Sequence, residues 1–246
     1  VKAPAADQTR LLVVQEHDKT LHQLAHKLAT LPAIASQAQA EELFEQLGEL
    51  VAGAGAAVHD IQRELTAVED EVTKVEQRRR RDTERLESGG GTSRELQALT
   101  AEVEALDRRR DVLEDSQLEV MERLEEATNQ ANELRQRQDK AASDVAAAAA
   151  QLAEQSKIIA ADQAAELALR TVAAEGLDEA LMVLYERLRE RLGGVGAAAL
   201  LARRCDGCRL EVTPVFLAEI RGSADDVVLR CEECSRILVR GPGSGL

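Results

Sequence analysis

All four cysteines of the chain fall in two Cys-x-x-Cys pairs, Cys205-Asp206-Gly207-Cys208 and Cys231-Glu232-Glu233-Cys234. Each pair can set two thiolates on one side of a tight turn. Two such turns complete a tetrahedral S₄ shell, which Zn²⁺ accepts without a geometric penalty. The gap between the pairs is of the length seen in zinc ribbons. Rival chemistries for the same residues are two structural disulfides, a redox-active Cys-x-x-Cys and an iron–sulfur cluster. A redox motif needs only one pair and a βαβ setting that this pattern lacks. No secretory signal is read at the start of the chain, so a reducing, cytoplasmic setting is expected and disulfides are disfavoured. The expectation is one structural Zn²⁺ per chain held by Cys205, Cys208, Cys231 and Cys234, with an iron–sulfur cluster as the alternative.

Other residue groups offer weaker chemistry. His22 and His26 stand at i, i+4 on one helical face with Asp18 a turn earlier, a spacing able to chelate a metal, against the plainer reading of a solvated face. Arg78-Arg79-Arg80-Arg81 with Arg85 and Arg94 could contact phosphate or an acidic partner. Asp82, Glu84, Glu87 and Glu95 lie among them, which favours a salt-bridged surface. Gly89–Gly91 is no phosphate-binding loop, since no strand precedes it and no Gly-Lys-Ser follows. A four-thiolate shell leaves no open position for water or substrate, and the carboxylates are scattered along helix faces with no cleft to shift them. No catalytic constellation emerges, and the chain is expected not to be an enzyme.

The cysteines must be positioned by what precedes them, and that part is helical. Phe44, Tyr185 and Phe216 are the only aromatic residues among 246, so Leu, Val and Ala must do the packing, which suits long helices joined along a narrow seam. From Asp7, the positions Leu11, Val14, Asp18, Leu21, Ala25 and Leu28 alternate three- and four-residue steps, a heptad seam with one charged member. Val1–Ala6 reads as a loose terminus. Pro32 should end or kink this helix. A second helix is expected from about Ser36 to Ser88, with Leu43, Leu47, Leu50, Ala54, Val58, Ile61, Leu65, Val68, Val72, Val75, Arg79, Asp82 and Leu86 in its seam. Its two successive four-residue steps at Ala54–Val58 read as a stutter, with Gly53 and Gly55 making the helix bendable there. Ser88-Gly89-Gly90-Gly91 closes the helix, and Thr92 with Glu95 forms a capping box that opens the next. That helix keeps its heptads from Leu96 through Leu152. Arg110 lies in this seam, and Arg79 and Asp82 in the facing one; long stems can carry such charges outward. A short connection demands antiparallel neighbours, so Leu86 meets Leu96, Val75 meets Leu106, and Leu11 comes near Thr171.

The expected fold is mainly α, a long antiparallel coiled-coil hairpin over 1–176 with its tip at 88–92, followed over 177–246 by a short helix and a small C-terminal β zinc ribbon. Asp178 should cap the short helix, which carries Leu181, Leu184, Tyr185, Leu188 and Leu192 on its buried face. Ala197–Ala202, Val227–Arg230 and Ile237–Val239 are expected to form a small antiparallel sheet bearing the two cysteine turns. Leu11, Val14 and Leu21 should supply the apolar cover that the short helix needs, with Tyr185 partly buried and its hydroxyl hydrogen-bonded.

This order of parts resembles the bacterial C4-type zinc-ribbon family with an N-terminal coiled-coil hairpin. The likeness rests on Leu11–Leu31 closing on Pro32, on the tip Ser93-Arg94-Glu95-Leu96-Gln97-Ala98-Leu99, on Leu184-Tyr185-Glu186-Arg187-Leu188-Arg189, and on Cys231-Glu232-Glu233-Cys234-Ser235-Arg236-Ile237-Leu238. Thr92-Ser93-Arg94 stands where the family often shows Asn-Pro-Lys, and Ser235 where glycine is common. The resemblance implies an accessory protein; members are linked to flagellar regulation, to chaperoning of an alternative sigma factor and to RNA binding.

The net charge of −14 lies wholly in the helical part, because Arg203–Leu246 holds seven arginines and seven acidic residues. An acidic surface repels nucleic-acid phosphates. The leading expectation is therefore a zinc-binding adaptor or chaperone-like regulator that works through protein partners, monomeric or weakly dimeric and without a membrane anchor. The alternative is an RNA- or DNA-binding regulator using the ribbon and its flanking Arg203, Arg204, Arg209, Arg230, Arg236 and Arg240.

Overall fold

Heptad spacing and two breaks translate directly into helices. The computed structural model describes Val1–Leu246. The elements are α1 (Ala5–Ala29), α2 (Pro32–Glu87), α3 (Ser93–Ala174), α4 (Glu179–Arg191), β1 (Ala197–Leu201), β2 (Arg204–Cys205), α5 (Pro214–Gly222), β3 (Leu229–Arg230) and β4 (Ile237–Val239). No helix is long and apolar enough to cross a membrane. Contacts divide the chain into two units, one of residues 1–34 with 150–246 and one of residues 35–149.

The second unit pairs α2 with α3. Pro32 does more than interrupt. It is the first residue of α2, where a missing N–H costs nothing and a fixed φ suits the helix, so α2 begins four residues before the expected Ser36. At the tip, Gly89 takes φ +65° and Gly91 φ +144°, conformations that a Cβ disfavours. The capping box forms as the spacing predicts. The Thr92 N–H donates to Glu95 Oε2 at 2.7 Å, and the Glu95 N–H donates to Thr92 Oγ1 at 3.4 Å.

Along α3 the seam holds as read, with Leu106, Leu113, Val120, Ala131 and Ala141 buried. On α2 it does not. Leu43, its neighbour Phe44 and Leu50 are all exposed, and the inward line runs from buried Leu47 through half-buried Val51 into Ala54 and Val58. That path keeps alternating three- and four-residue steps throughout, so there is no stutter, and α2 is continuous past Gly53 and Gly55. Choosing Leu50 over the smaller Val51 created the apparent irregularity. Phase along a helix is set by spacing, and a half-buried Val51 satisfies it as well as a leucine would. Glu64–Arg123 at 3.0 Å, Glu71–Arg109 at 3.6 Å and Arg78–Glu102 at 2.7 Å then tie the two helices in antiparallel order.

The first unit is built on α1, α4 and the ribbon. Leu11 and Val14 of α1 pack with Leu181, Leu184, Tyr185 and Leu188 of α4 and with Ala197, Ile237 and Val239 of the sheet. This is the docking expected from the width of α4's apolar face, although Leu21 is only half-buried and lies outside the cluster. Asp178 caps α4 by accepting from the Leu181 N–H at 2.9 Å.

Two expectations fail here. The sheet, in order β2-β1-β4-β3, is mixed: β1 pairs antiparallel with β2, β3 pairs antiparallel with β4, and β1 runs parallel to β4. Ala202-Arg203 closes the β1–β2 hairpin just ahead of the first cysteine turn, and the second cysteine turn lies within the β3–β4 hairpin; joining two hairpins edge to edge in parallel requires a long crossover. That crossover contains α5, opened by Thr213, whose hydroxyl accepts from the Phe216 N–H, and by Pro214 at the first helical position. The terminus is not loose either. The Ala3 N–H donates to Asp226 O at 2.8 Å, the Val228 N–H donates to Val1 O at 3.2 Å, and Ala3 is buried. Residues 226–228 offer backbone groups that the ladder leaves open, and Val1–Ala3 fills them.

Candidate metal centre

The two cysteine turns have matching local chemistry. In the first, the Arg209 N–H donates to Cys205 O at 2.8 Å and the Cys205 N–H to Leu210 O at 3.0 Å; in the second, the Ser235 N–H donates to Cys231 O at 2.9 Å and the Cys231 N–H to Arg236 O at 2.9 Å. The residue after each second cysteine turns left-handed, Arg209 at φ +65° and Ser235 at φ +61°. That twist turns the chain back, so that the N–H of each pair's first cysteine meets the carbonyl two residues past its second. Gly207 is needed in the first turn because a Cβ there would sit 2.7 Å from Arg236 Cδ and 3.0 Å from Ala198 Cβ.

The strands bring the turns together. The four Sγ atoms all lie within 4.8 Å of one another, and Cys205–Cys234 and Cys208–Cys231 are both 3.8 Å apart. A bonded disulfide would hold its sulfurs near 2.05 Å, so all four are thiols. For a tetrahedron with metal–sulfur bonds of about 2.3 Å, the edge is about 3.8 Å. The cage therefore fits Zn²⁺, and one structural zinc is the metal it is built for.

Cys205 and Cys231 are buried, Cys208 and Cys234 half-buried. Without a cation, burial pushes the Cys205 thiol up to about 12 and raises Cys231, even though the N–H groups of Gly207 and Cys208, and of Glu233 and Cys234, face their sulfurs. Burial also opposes ionisation at Cys234, but the backbone and side-chain donors of Arg236 and the neighbouring thiols outweigh it and bring Cys234 down to about 7. A bound cation stabilises all four thiolates at once and offsets the cost of their burial. A shell filled by four protein ligands leaves no position for substrate, so its chemistry is structural.

Hairpin, closing helix and four-thiol cage together agree with two family models, the CT398-like coiled coil hairpin domain over residues 14–193 and the C4-type zinc ribbon domain over residues 204–238. The chain belongs to the CT398-like coiled coil hairpin family. It is 35% identical to the uncharacterized protein Rv2229c of Mycobacterium tuberculosis over 99% of each chain. A solved structure from Mycobacterium smegmatis superposes with a TM-score of 0.86 at 30% identity, covering 98% of this chain and 100% of that one. The structure of CT398 from Chlamydia trachomatis shares the fold, with a TM-score of 0.70, 20% identity, and coverage of 96% and 98%.

In this member of the CT398-like family, the other sequence-singled residues have structural employment. The Asp18 carboxylate does not face a metal site with His22 and His26. It is buried and accepts from Tyr185 Oη at 2.6 Å and from Arg170 Nε at 2.8 Å, while both histidines are exposed. Arg170 also bonds Glu186, and Arg189 reaches Glu186 at 2.8 Å. Tyr185 is fully buried, beyond the partial burial expected, and burial followed by its bond to Asp18 raises its hydroxyl well above the ordinary tyrosine value. The Asp18 hydrogen bond, the largest influence, raises Arg170 as well. Arg170 was not legible as a partner, because it stands 152 positions from Asp18.

Four of the six arginines that flank the cysteines donate to backbone carbonyls. Arg236 donates to Val195 O and Leu192 O, which fastens the second cysteine turn to the end of α4. Arg240 donates to the carbonyls of Ile220, Ser223, Ala224, Asp225 and Val227, closing the end of α5. Arg203 bonds Gly245 O, Arg230 bonds Ser235 O, and Arg209 pairs with Asp206. Near the tip, Arg78 meets Glu102, Arg79 meets Asp107, and Arg80 meets Glu84.

Proposed function

We propose that the chain is a non-enzymatic, zinc-binding adaptor or chaperone-like regulator that acts through protein contacts of its helical hairpin and its ribbon. The observation that carries the reading is where apolar side chains remain open. Leu43, Leu50, Val112, Leu118 and Met121 project from the paired helices outside their seam, and Leu210 and Val215 project from the ribbon. Burying such side chains against a partner contributes about 1.5–3 kcal/mol each before ordering costs. The closed four-thiol cage, with no ligand position left for substrate, supports a binding role over a catalytic one. Five of the six arginines that would serve a nucleic-acid reader are already bonded to carbonyls or to Asp206, and the −14 charge opposes phosphate.

The test is photo-crosslinking in cells of the parent organism, with a photoreactive residue placed in full-length protein at Leu118, Val215 and, as a control, solvent-facing Glu87. Discrete protein adducts from the first two positions and none from the third are expected. Adducts that are RNA or DNA, with binding that falls steeply as salt rises, would replace this reading by a nucleic-acid one.

A further inference from the structure

The α2–α3 pair buries one apolar stripe and leaves a second strip open beside it. Leu65 of α2 and Leu118, Met121 and Leu124 of α3 line a groove along the pair, with Glu122 and Glu125 on its rim. Leu65 and Leu124 are half-buried seam residues that form the floor. Leu118 and Met121 lie off the seam and are 58% and 48% exposed. The groove continues into a depression lined by Glu122, Glu125, Glu126, Asn129, Gln130 and Glu133. The spacing 118, 122, 125, 129 and 133 keeps these positions on one face of α3. Glu64, Glu71 and Glu102 on the same hairpin each meet an arginine across the pair. Glu122, Glu125, Glu126 and Glu133 have no such cation against them.

We propose that this groove docks a basic amphipathic helix of a partner protein, with the partner's apolar stripe on Leu65, Leu118, Met121 and Leu124 and its Lys or Arg residues over Glu122, Glu125, Glu126 and Glu133. The inference rests on the adaptor reading and adds the chemistry of the partner. Its ground is complementarity of both kinds: an apolar strip of helical pitch selects a helix laid in the groove, and unpaired carboxylates select its charge. A second copy of this chain is the poorer occupant, since each copy carries −14 and would bring glutamates against glutamates.

Full-length protein is titrated against three fluorophore-labelled synthetic peptides of about 18 residues, roughly five helical turns. One has Leu at helical spacing and Lys elsewhere, one has the same residues shuffled to remove the stripe, and one has Glu in place of Lys. The striped basic peptide is expected to bind, and more weakly as salt rises. Leu118→Ala with Met121→Ala, and separately Glu122→Gln with Glu125→Gln, should each weaken it by about tenfold or more. Glu104→Gln, an exposed change elsewhere on α3, should leave it unaltered, and circular dichroism should show all variants fully helical. Equal binding of the shuffled peptide would reduce the site to non-specific charge, and equal binding of the Glu peptide would remove the charge argument; either overturns the proposal. So would a dimer in sedimentation equilibrium that Leu118→Ala with Met121→Ala disperses, which assigns the groove to a second copy. Failure of all three peptides while crosslinks to protein persist at Val215 would overturn the groove and leave the adaptor reading standing.

Discussion

Asp18 occupies a heptad position where a leucine is ordinarily found, yet it is only 4% exposed. It is tolerated because Tyr185 and Arg170 satisfy its oxygens. Removing one member of a buried charge pair leaves the other unpaired, so Asp18→Ala should lower the unfolding free energy in urea by about 3–5 kcal/mol; a loss under about 1 kcal/mol would mean water replaces the carboxylate. Tyr185 is the sole tyrosine and there is no tryptophan, so tyrosinate absorbance reports this one hydroxyl. Its folded value is raised above the ordinary 10.0 by burial and by Asp18. A raised value means the fold favours the neutral form, so its contribution is complete below pH 10 and is lost as pH rises toward the folded value. The native protein should show little tyrosinate at pH 10, where urea-unfolded protein is half ionised; parallel titration curves would contradict the buried bond. Ser235 at φ +61° bears a left-handed strain that glycine lacks. Ser235→Gly should therefore stabilise the ribbon by up to about 1 kcal/mol, read as a higher melting temperature with zinc content unchanged.

At the scale of elements, local chemistry decides where helices begin and end. The reciprocal bonds of Thr92 and Glu95 open α3, and Thr92→Ala should lower hairpin stability by about 1 kcal/mol in denaturant titrations. The antiparallel pairing of α2 with α3 predicts that cysteines placed at Leu86 and Leu96 crosslink within one chain, with monomer mobility on a denaturing gel; crosslinks solely between chains would indicate exchanged helices. Much of this was legible. Every expected seam position of α3 from Leu96 to Leu152 is buried or half-buried, since a long uninterrupted repeat averages out single-residue errors. On α2 the leucines depart from the seam at Leu50, where the smaller Val51 holds the phase that spacing dictates. The α5 helix was missed although Thr213-Pro214 is a readable start signal, its brevity leaving too few periodic residues to register.

At the scale of the molecule, the cysteines belong to the core they support. Cys205 and Cys231 are packed with Ala198, Leu200, Val212, Leu217, Ile220, Leu229 and Leu238, a cluster too small to persist without its metal. Chelation, or Cys231→Ser, should make residues 197–240 protease-sensitive while most helical ellipticity survives, and metal analysis of untreated protein should find one zinc per chain. Iron in its place would reassign the site. Deleting residues 1–31 removes Leu11 and Val14 from the cluster around α4 and the Asp18 carboxylate from Tyr185, so tyrosine fluorescence and the protease resistance of residues 178–246 should change together. An unchanged head would mean that α4 and the ribbon fold without α1.

The sequence alone determined what depends on near neighbours: the paired cysteines and their metal, the capped and glycine-punctuated helices, the antiparallel hairpin and the apolar face of α4. Spacing, capping and turn chemistry act over a few residues, and they are written in the order of the chain. Tertiary structure alone decided what depends on groups far apart in the chain. It joined Asp18 to Arg170 and Tyr185, set β1 parallel to β4, paired Val1–Ala3 with residues 226–228, and laid Arg236 and Arg240 on carbonyls of distant segments. Each of these satisfies a buried charge or an open backbone group, and which partner does so is settled only when the chain has folded around it.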